Sequence, residues 1–191
     1  MRRGIDVDGT LTNLQRFVFD RGTKFFNKSV VRTDCMQVRN TFDVSQEDEK
    51  AFWDENIFDY AANYKPLDYA REALMELHEA GHEIIIITAR YHTYEYSELG
   101  NRMRKTVVNW FKDNDLYFDK IIFTHEGKKY RCRENKIDVM IEDKAANILA
   151  IADDRKVIAM DQPWNRKTEG DNIYRVYSWS EVVKKIEEIS E

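Results

Sequence analysis

Glu83-Ile84-Ile85-Ile86-Ile87-Thr88 carries four isoleucines in a row and ends in a threonine. A half-buried strand alternates apolar and polar residues, so an unbroken β-branched run reads as a central strand covered on both faces, the habit of parallel sheets. The flanking sequence agrees. On the N-terminal side, residues 67–80 read as a helix with Ala70, Ala73, Leu74 and Leu77 on one face and Gly81 placed to stop it. On the other side, residues 99–114 form a helical pattern striped by Met103, Val107, Trp110 and Phe111, leading to the strand Lys120-Ile121-Ile122-Phe123-Thr124. A basic helix over 128–136 follows, then strands at 138–141, 156–160 and 174–177. Ser178-Trp179-Ser180-Glu181 offers a capping box for a last helix. With Gly4-Ile5 as the opening strand, this alternation predicts an α/β fold, a Rossmann-like parallel sheet flanked by helices.

Residues 13–66 interrupt the alternation. They read as two or more helices, one near 14–27 and one near 46–62 that Ser45 and Asp48 start, with Phe52, Trp53, Ile57 and Phe58 as its apolar face. No strand of the sheet is evident there, and Pro66 marks the exit. The expectation is a core made of residues 1–12 and 67–191, with a small helical cap of residues 13–66 inserted after the first strand.

Composition narrows the function classes. The 191 residues are enough for a sizeable core, and 42% hydrophobic with 13% aromatic content describes a globular chain. A net charge of −5 argues against binding a nucleic-acid polymer by bulk attraction, but a bound cation and a few local bases can still reverse the field inside a cleft. Cys35 and Cys132 are far apart, and His78, His82, His92 and His125 show no ligand spacing, so neither a disulfide framework nor a zinc site is indicated. No apolar stretch is long enough to span a bilayer. The first residues read as a strand and not as a leader, which leaves a reducing cytoplasm as the expected location.

The chemistry lies at strand ends, where open parallel sheets bind ligands. Asp6-Val7-Asp8-Gly9-Thr10 closes the first strand with two carboxylates one residue apart. Asp suits strands poorly, and like charges this close repel unless a metal or substrate uses them. Thr88-Ala89-Arg90 closes the isoleucine strand, Glu142-Asp143 closes a later one, and Lys128-Lys129 begins the basic helix. Taken singly, each has a plain structural use: Thr88 as a helix cap, Glu142-Asp143 as N-terminal caps for the helix from Lys144, and the lysines as solvated surface. Together they are the set that phosphoryl transfer through an aspartyl-phosphate requires. One carboxylate attacks, an oxygen-bound cation neutralises charge, a hydroxyl and an ammonium hold phosphoryl oxygens, and a second carboxyl protonates the leaving group.

This order of motifs resembles the haloacid dehalogenase superfamily of phosphatases, and within it most closely the deoxyribonucleotidase branch and its bacterial relatives. The resemblance covers nearly the whole chain. It implies that Asp6 is the nucleophile and that Asp8 is the general acid/base, also giving its backbone carbonyl to a magnesium ion (Mg2+). Thr88 would bind the phosphoryl group, Asp143 would complete the metal site, and Glu142 would support it. Lys128 is the first expectation for the phosphoryl lysine, Lys129 the second. Lys136 comes third, because a residue near the strand entrance points away from the cleft. Glu142 stands where many relatives carry Asp, which weakens its claim as a direct ligand. Gly9, Thr10, Ala89 and Arg90 are the expected substrate-binding residues of the core. Phe17 and Arg39, with Arg16, are those of the cap, and Tyr91 faces them beside Arg90.

The expected activity is magnesium-dependent hydrolysis of a small-molecule phosphomonoester, a nucleoside monophosphate, with a sugar or triose phosphate as the alternative. Asp8 favours esters, because an alkoxide leaving group needs a proton and a phosphoanhydride does not. A protein phosphatase would need an open cleft that the insert shades. A non-enzymatic binding role would not require every catalytic residue type to be present.

Overall fold

The computed structural model describes residues 1–125 and 127–190. The chain runs β1 (Arg2–Ile5), α1 (Leu14–Phe26), α2 (Val38–Phe42), α3 (Gln46–Asn63), α4 (Ala70–Glu79), β2 (Glu83–Thr88) and α5 (Glu98–Asp113). It continues β3 (Lys120–Phe123), α6 (Lys128–Glu134), β4 (Val139–Glu142), α7 (Ala145–Ala152), β5 (Lys156–Met160), β6 (Ile173–Val176) and α8 (Trp179–Ser190). The six strands form one parallel sheet in the order β3-β2-β1-β4-β5-β6. From β1 the chain builds outward through β2 and β3, then returns to lay β4 on the other side of β1. The switch point is therefore the β1/β4 pair, where Ile5 stands beside Ile141.

The isoleucine run is buried on both faces, as its composition predicts. Ile84 and Ile86 pack into one layer with α4, α5, α8 and the insert helices, while Ile85 and Ile87 pack into the other with Cys132, Ile148 and Ile151. Period-two alternation thus divides one apolar run between two cores.

The insert is helical and holds a short helix, α2, that periodicity does not single out. Ser45 starts α3 through a capping box: its hydroxyl accepts the Asp48 N–H at 3.0 Å, and the Asp48 carboxylate accepts the Ser45 N–H at 3.1 Å. The two ends of the insert are fastened together, with the Leu67 N–H donating to the Leu11 carbonyl at 2.8 Å and Thr12 bridging Pro66. Entry and exit therefore lie side by side at the carboxyl edge of the sheet. The aromatic face of α3 shares its apolar cluster with the core, and α3 packs on α5. Element bounds shift slightly from expectation. α4 begins at Ala70 because Tyr69 takes a left-handed conformation at φ 65°, and α6 ends at Glu134, with Lys136 at φ 52° turning the chain into β4. No described helix is long and apolar enough to cross a membrane, and Cys35 and Cys132 are both free thiols.

Candidate active site

The chain leaves β1 at Asp6, whose N–H donates to the Ile141 carbonyl of β4 at 3.0 Å. That bond extends the β1/β4 ladder by one rung and sets Asp6 next to Glu142 and Asp143 at the switch point. Each of the three carboxylates has an oxygen within 4.8 Å of the others, and all three residues are buried. Lys128 enters from the first turn of α6. Its ammonium donates to Asp6 Oδ1 and, at 2.8 Å, to Glu142 Oε2, and its side chain is 4% exposed.

Glu142 and Asp143 divide their tasks. Glu142 accepts four donors: Lys128 and Asn147 Nδ2 at 2.8 and 3.0 Å on Oε2, and the Asp143 and Lys144 N–H groups at 3.0 Å on Oε1. Burial pushes its carboxyl up, but the Lys128 charge, the Lys128 hydrogen bond and the Lys144 N–H outweigh this and hold it low. Asp143 has Oδ2 on the Trp164 indole N–H at 3.1 Å, while Oδ1 is buried without a partner among the described residues. Burial first, then the charges of Glu142 and Asp6, push the Asp143 carboxyl well above its usual range. Asp6 is pushed up to about 7 by burial, against the pull of Lys128 and with the repulsion of Glu142 and Asp8. One ammonium is too little positive charge to let all three buried carboxyls ionise, and one oxygen is orphaned. An oxygen-liganded divalent cation fits both, held by Asp6 and Asp143, with Glu142 already committed to other partners.

Gly9 makes the turn that lets these groups meet. It sits at φ 84°, and a Cβ there would lie 2.2 Å from Asp143 Oδ2, so both its backbone angle and its neighbour exclude a side chain. Its carbonyl accepts from Gln162 Nε2 at 2.8 Å. Asp8, next to it, points its carboxylate at Arg90.

Two cavities meet at Asp8. One, of about 320 Å3, is bounded by Asp6, Asp8, Ala89, Lys128, Asp143 and Lys144. The second, of about 460 Å3, shares Asp8, Ala89 and Lys144 but is walled by Leu14, Trp53, Ile57, Tyr60 and Tyr91. The expected residues divide accordingly. Asp6, Asp8, Ala89, Lys128, Glu142 and Asp143 come together around the first cavity. Thr88 is fully buried just beneath, its hydroxyl accepting the Arg90 N–H at 3.3 Å. Thr10 lies in the core with its carbonyl on the Trp179 indole N–H at 2.9 Å. Arg90 lines the second cavity, and Arg39 lies on an adjoining depression, ion-paired to Glu49 at 3.4 Å.

Besides Gly9, Thr10, Thr88 and Arg39, which adjoin but do not line the two cavities, four expected residues stand elsewhere. Lys129 is rotated one position around α6 and pairs with Asp153 at the surface instead of reaching Asp6. Lys136 lies beyond the far end of α6, exposed. Arg16 is a surface residue paired with Asp20 at 2.8 Å. Phe17 is 2% exposed and packs its ring against Phe52, Trp53, Tyr60 and Tyr64, outside the lining of both cavities, because the apolar side of α1 faces α3 and not the cleft.

Gln162, Trp164 and Asn165 were not anticipated from sequence. Asn165 Nδ2 donates to the Asp143 carbonyl at 2.6 Å and to the Met160 carbonyl at 2.8 Å, fixing the loop after β5 against the acidic pair. Asn147, in the first turn of α7, carries no sequence pattern that marks it either. The available signal was position: Asp161-Gln162-Pro163-Trp164-Asn165 follows a strand at its carboxyl end, where ligand sites gather.

Comparison with known proteins gives the family and the fold. The family model described as 5′ nucleotidase, deoxy (pyrimidine), cytosolic type C matches residues 3–189. A nucleotidase of Clostridium acetobutylicum is 27% identical over 186 residues, covering 93% of this chain and 89% of its own. A provisionally named nucleotidase of Bacillus subtilis is 29% identical over 191 residues, covering 96% and 92%. Among solved structures, a predicted phosphatase from Clostridium acetobutylicum superposes with a TM-score of 0.66 at 19% identity, covering 98% of both chains, and shares the fold.

Proposed function

This chain belongs to the cytosolic type C 5′-nucleotidase family of phosphoric monoester hydrolases, and we propose that it cleaves a nucleoside monophosphate with magnesium through an aspartyl-phosphate on Asp6. The observation that carries the reading is the Asp6–Lys128–Glu142–Asp143 cluster at the switch point, with its orphaned Asp143 oxygen.

Asp6 attacks phosphorus as the P–O bond to the leaving group breaks, and Asp8 gives its proton to the departing oxygen. A water then adds to the phosphorus of the acyl-phosphate, Asp8 takes its proton, and inorganic phosphate leaves with Asp6 restored. Lys128 and the Thr88 hydroxyl hold phosphoryl oxygens during both displacements. Asp6, Asp143 and the Asp8 carbonyl would hold magnesium, which would supply positive charge against the nucleophile and the phosphoryl oxygens. Glu142 keeps Lys128 in place and takes no part in bond changes.

The second cavity favours a nucleoside over a sugar or triose phosphate, because Trp53 and Tyr91 bring aromatic side chains to its wall, where a flat base can pack. In this reading residues 13–66 act as a cap over a core of 1–12 and 67–191, and the site of action is the cytosol. A panel of phosphorylated metabolites assayed with magnesium, and again with chelator, tests the proposal. Turnover of nucleoside monophosphates that chelator abolishes supports it; turnover in chelator, or of triose and sugar phosphates alone, contradicts it.

A further inference from the structure

We propose that Arg90 is a positioning residue that aims the Asp8 carboxyl group at the leaving oxygen, holding Oδ1 with two N–H donors so that Oδ2, at the longer 3.2 Å contact, is the oxygen that carries the proton. The inference rests on the reading above, in which Asp8 protonates the leaving group.

The Arg90 side chain is 1% exposed, an unusual place for a guanidinium, and it spends its donors on one partner. Its Nε lies 3.0 and 3.2 Å from the two oxygens of Asp8, and Nη2 also donates to Oδ1. Contact with both oxygens fixes the plane of a carboxylate that a single-point ammonium would leave free to rotate. The guanidinium is held in turn. It sits 5.0 Å over the Tyr60 ring, whose hydroxyl meets Thr12 Oγ1 at 2.6 Å. Thr12 Oγ1 donates at 3.3 Å to the carbonyl of Val7, the residue between the two aspartates. The chain of contacts that starts at the Asp8 carboxylate thus returns to its own backbone. The Arg90 main chain is fastened as well, its carbonyl accepting the Thr93 hydroxyl at 2.6 Å and the Thr93 N–H at 3.1 Å.

Location gives this brace its function. Asp8 lines both cavities, so its carboxylate stands where the phosphoryl side meets the organic side of a bound ester. The scissile oxygen belongs at that boundary. An arginine used to grip the phosphoryl group would face the first cavity with free donors. Arg90 instead lines only the second, and its one uncommitted nitrogen, Nη1, is buried without a partner among the described residues.

Esters that differ in their need for a proton separate positioning from bulk structural support. An alkyl phosphate such as a nucleoside 5′-monophosphate leaves as an alkoxide and needs the acid; nitrophenyl phosphate leaves as a stable phenolate and does not. For Arg90→Gln, kcat/KM on the alkyl ester is expected to fall about 100-fold or more, and on the aryl ester by less than about tenfold, the share that general acid catalysis supplies. Arg90→Lys, which keeps the charge but loses the fork, is expected in between. The aryl rate reports the folded fraction of each preparation, and Arg90→Lys serves alone if Arg90→Gln does not fold. Equal losses on both esters, or no loss on the alkyl ester, overturn the inference and leave the phosphatase reading intact. A wild-type protein inactive on both esters overturns the two together.

Discussion

In the cavity around Asp6, every charged wall residue hangs from a strand end or a first helical turn, whereas the cavity beyond Asp8 takes its walls from α1, α3 and the loop after β2. The first is held by hydrogen bonds and ion pairs: Lys128 on two carboxylates, four donors on Glu142, and the loop after β5 tied to Asp143. The second is held by ring packing, with Phe17, Phe52, Trp53, Tyr60 and Tyr64 supporting one another. Backbone register places the charged groups of the first cavity, and side-chain volume shapes the second. Changes in the first cavity should therefore act on every substrate alike, and changes in the second on the ratio between substrates.

The largest effect belongs to Asp6→Asn, which keeps volume and removes the proposed nucleophile. It should lower kcat by about three orders of magnitude or more on every ester, with thermal unfolding little changed. Asp143→Asn comes next, raising the magnesium concentration for half-maximal activity by about 10- to 100-fold, read from a metal titration of the initial rate. Trp53→Ala should alter the ratio of kcat/KM between nucleoside monophosphates and nitrophenyl phosphate by about tenfold, with the aryl rate nearly constant. A uniform loss from Trp53→Ala would merge the two regions into one. Phe17→Ala should leave that ratio alone while costing about 3–5 kcal/mol in denaturant unfolding, the range for deleting a buried aromatic ring. Smallest of all is Lys129→Ala, whose partner is a surface aspartate; activity and midpoint should stay within error.

What the sequence discloses and what it conceals follow the same division. Ile84 to Ile87 announce a strand buried on both faces because period and composition are local properties, and the positions of Asp6, Thr88 and Glu142-Asp143 follow once those strands are parallel. Lys128 and Lys129 are equivalent in sequence; the left-handed Gly127 sets the start of α6 and so decides which faces the cleft. Phe17 shows the limit of amphipathicity. An apolar position on α1 points inward, but periodicity does not say whether inward means the substrate space or the aromatic core. The grip of Arg90 on Asp8 spans 82 positions, and no local pattern encodes a partner that distant.

The central claim is that Asp6 takes the phosphoryl group. Asp8→Asn should slow protonation and the second displacement, so this variant, incubated with nitrophenyl phosphate and magnesium and then quenched and digested, should carry a phosphoryl adduct on the peptide containing Asp6. The same treatment of the Asp6→Asn variant should leave every peptide unmodified. An adduct on any other residue, or sustained turnover by Asp6→Asn, would contradict the account.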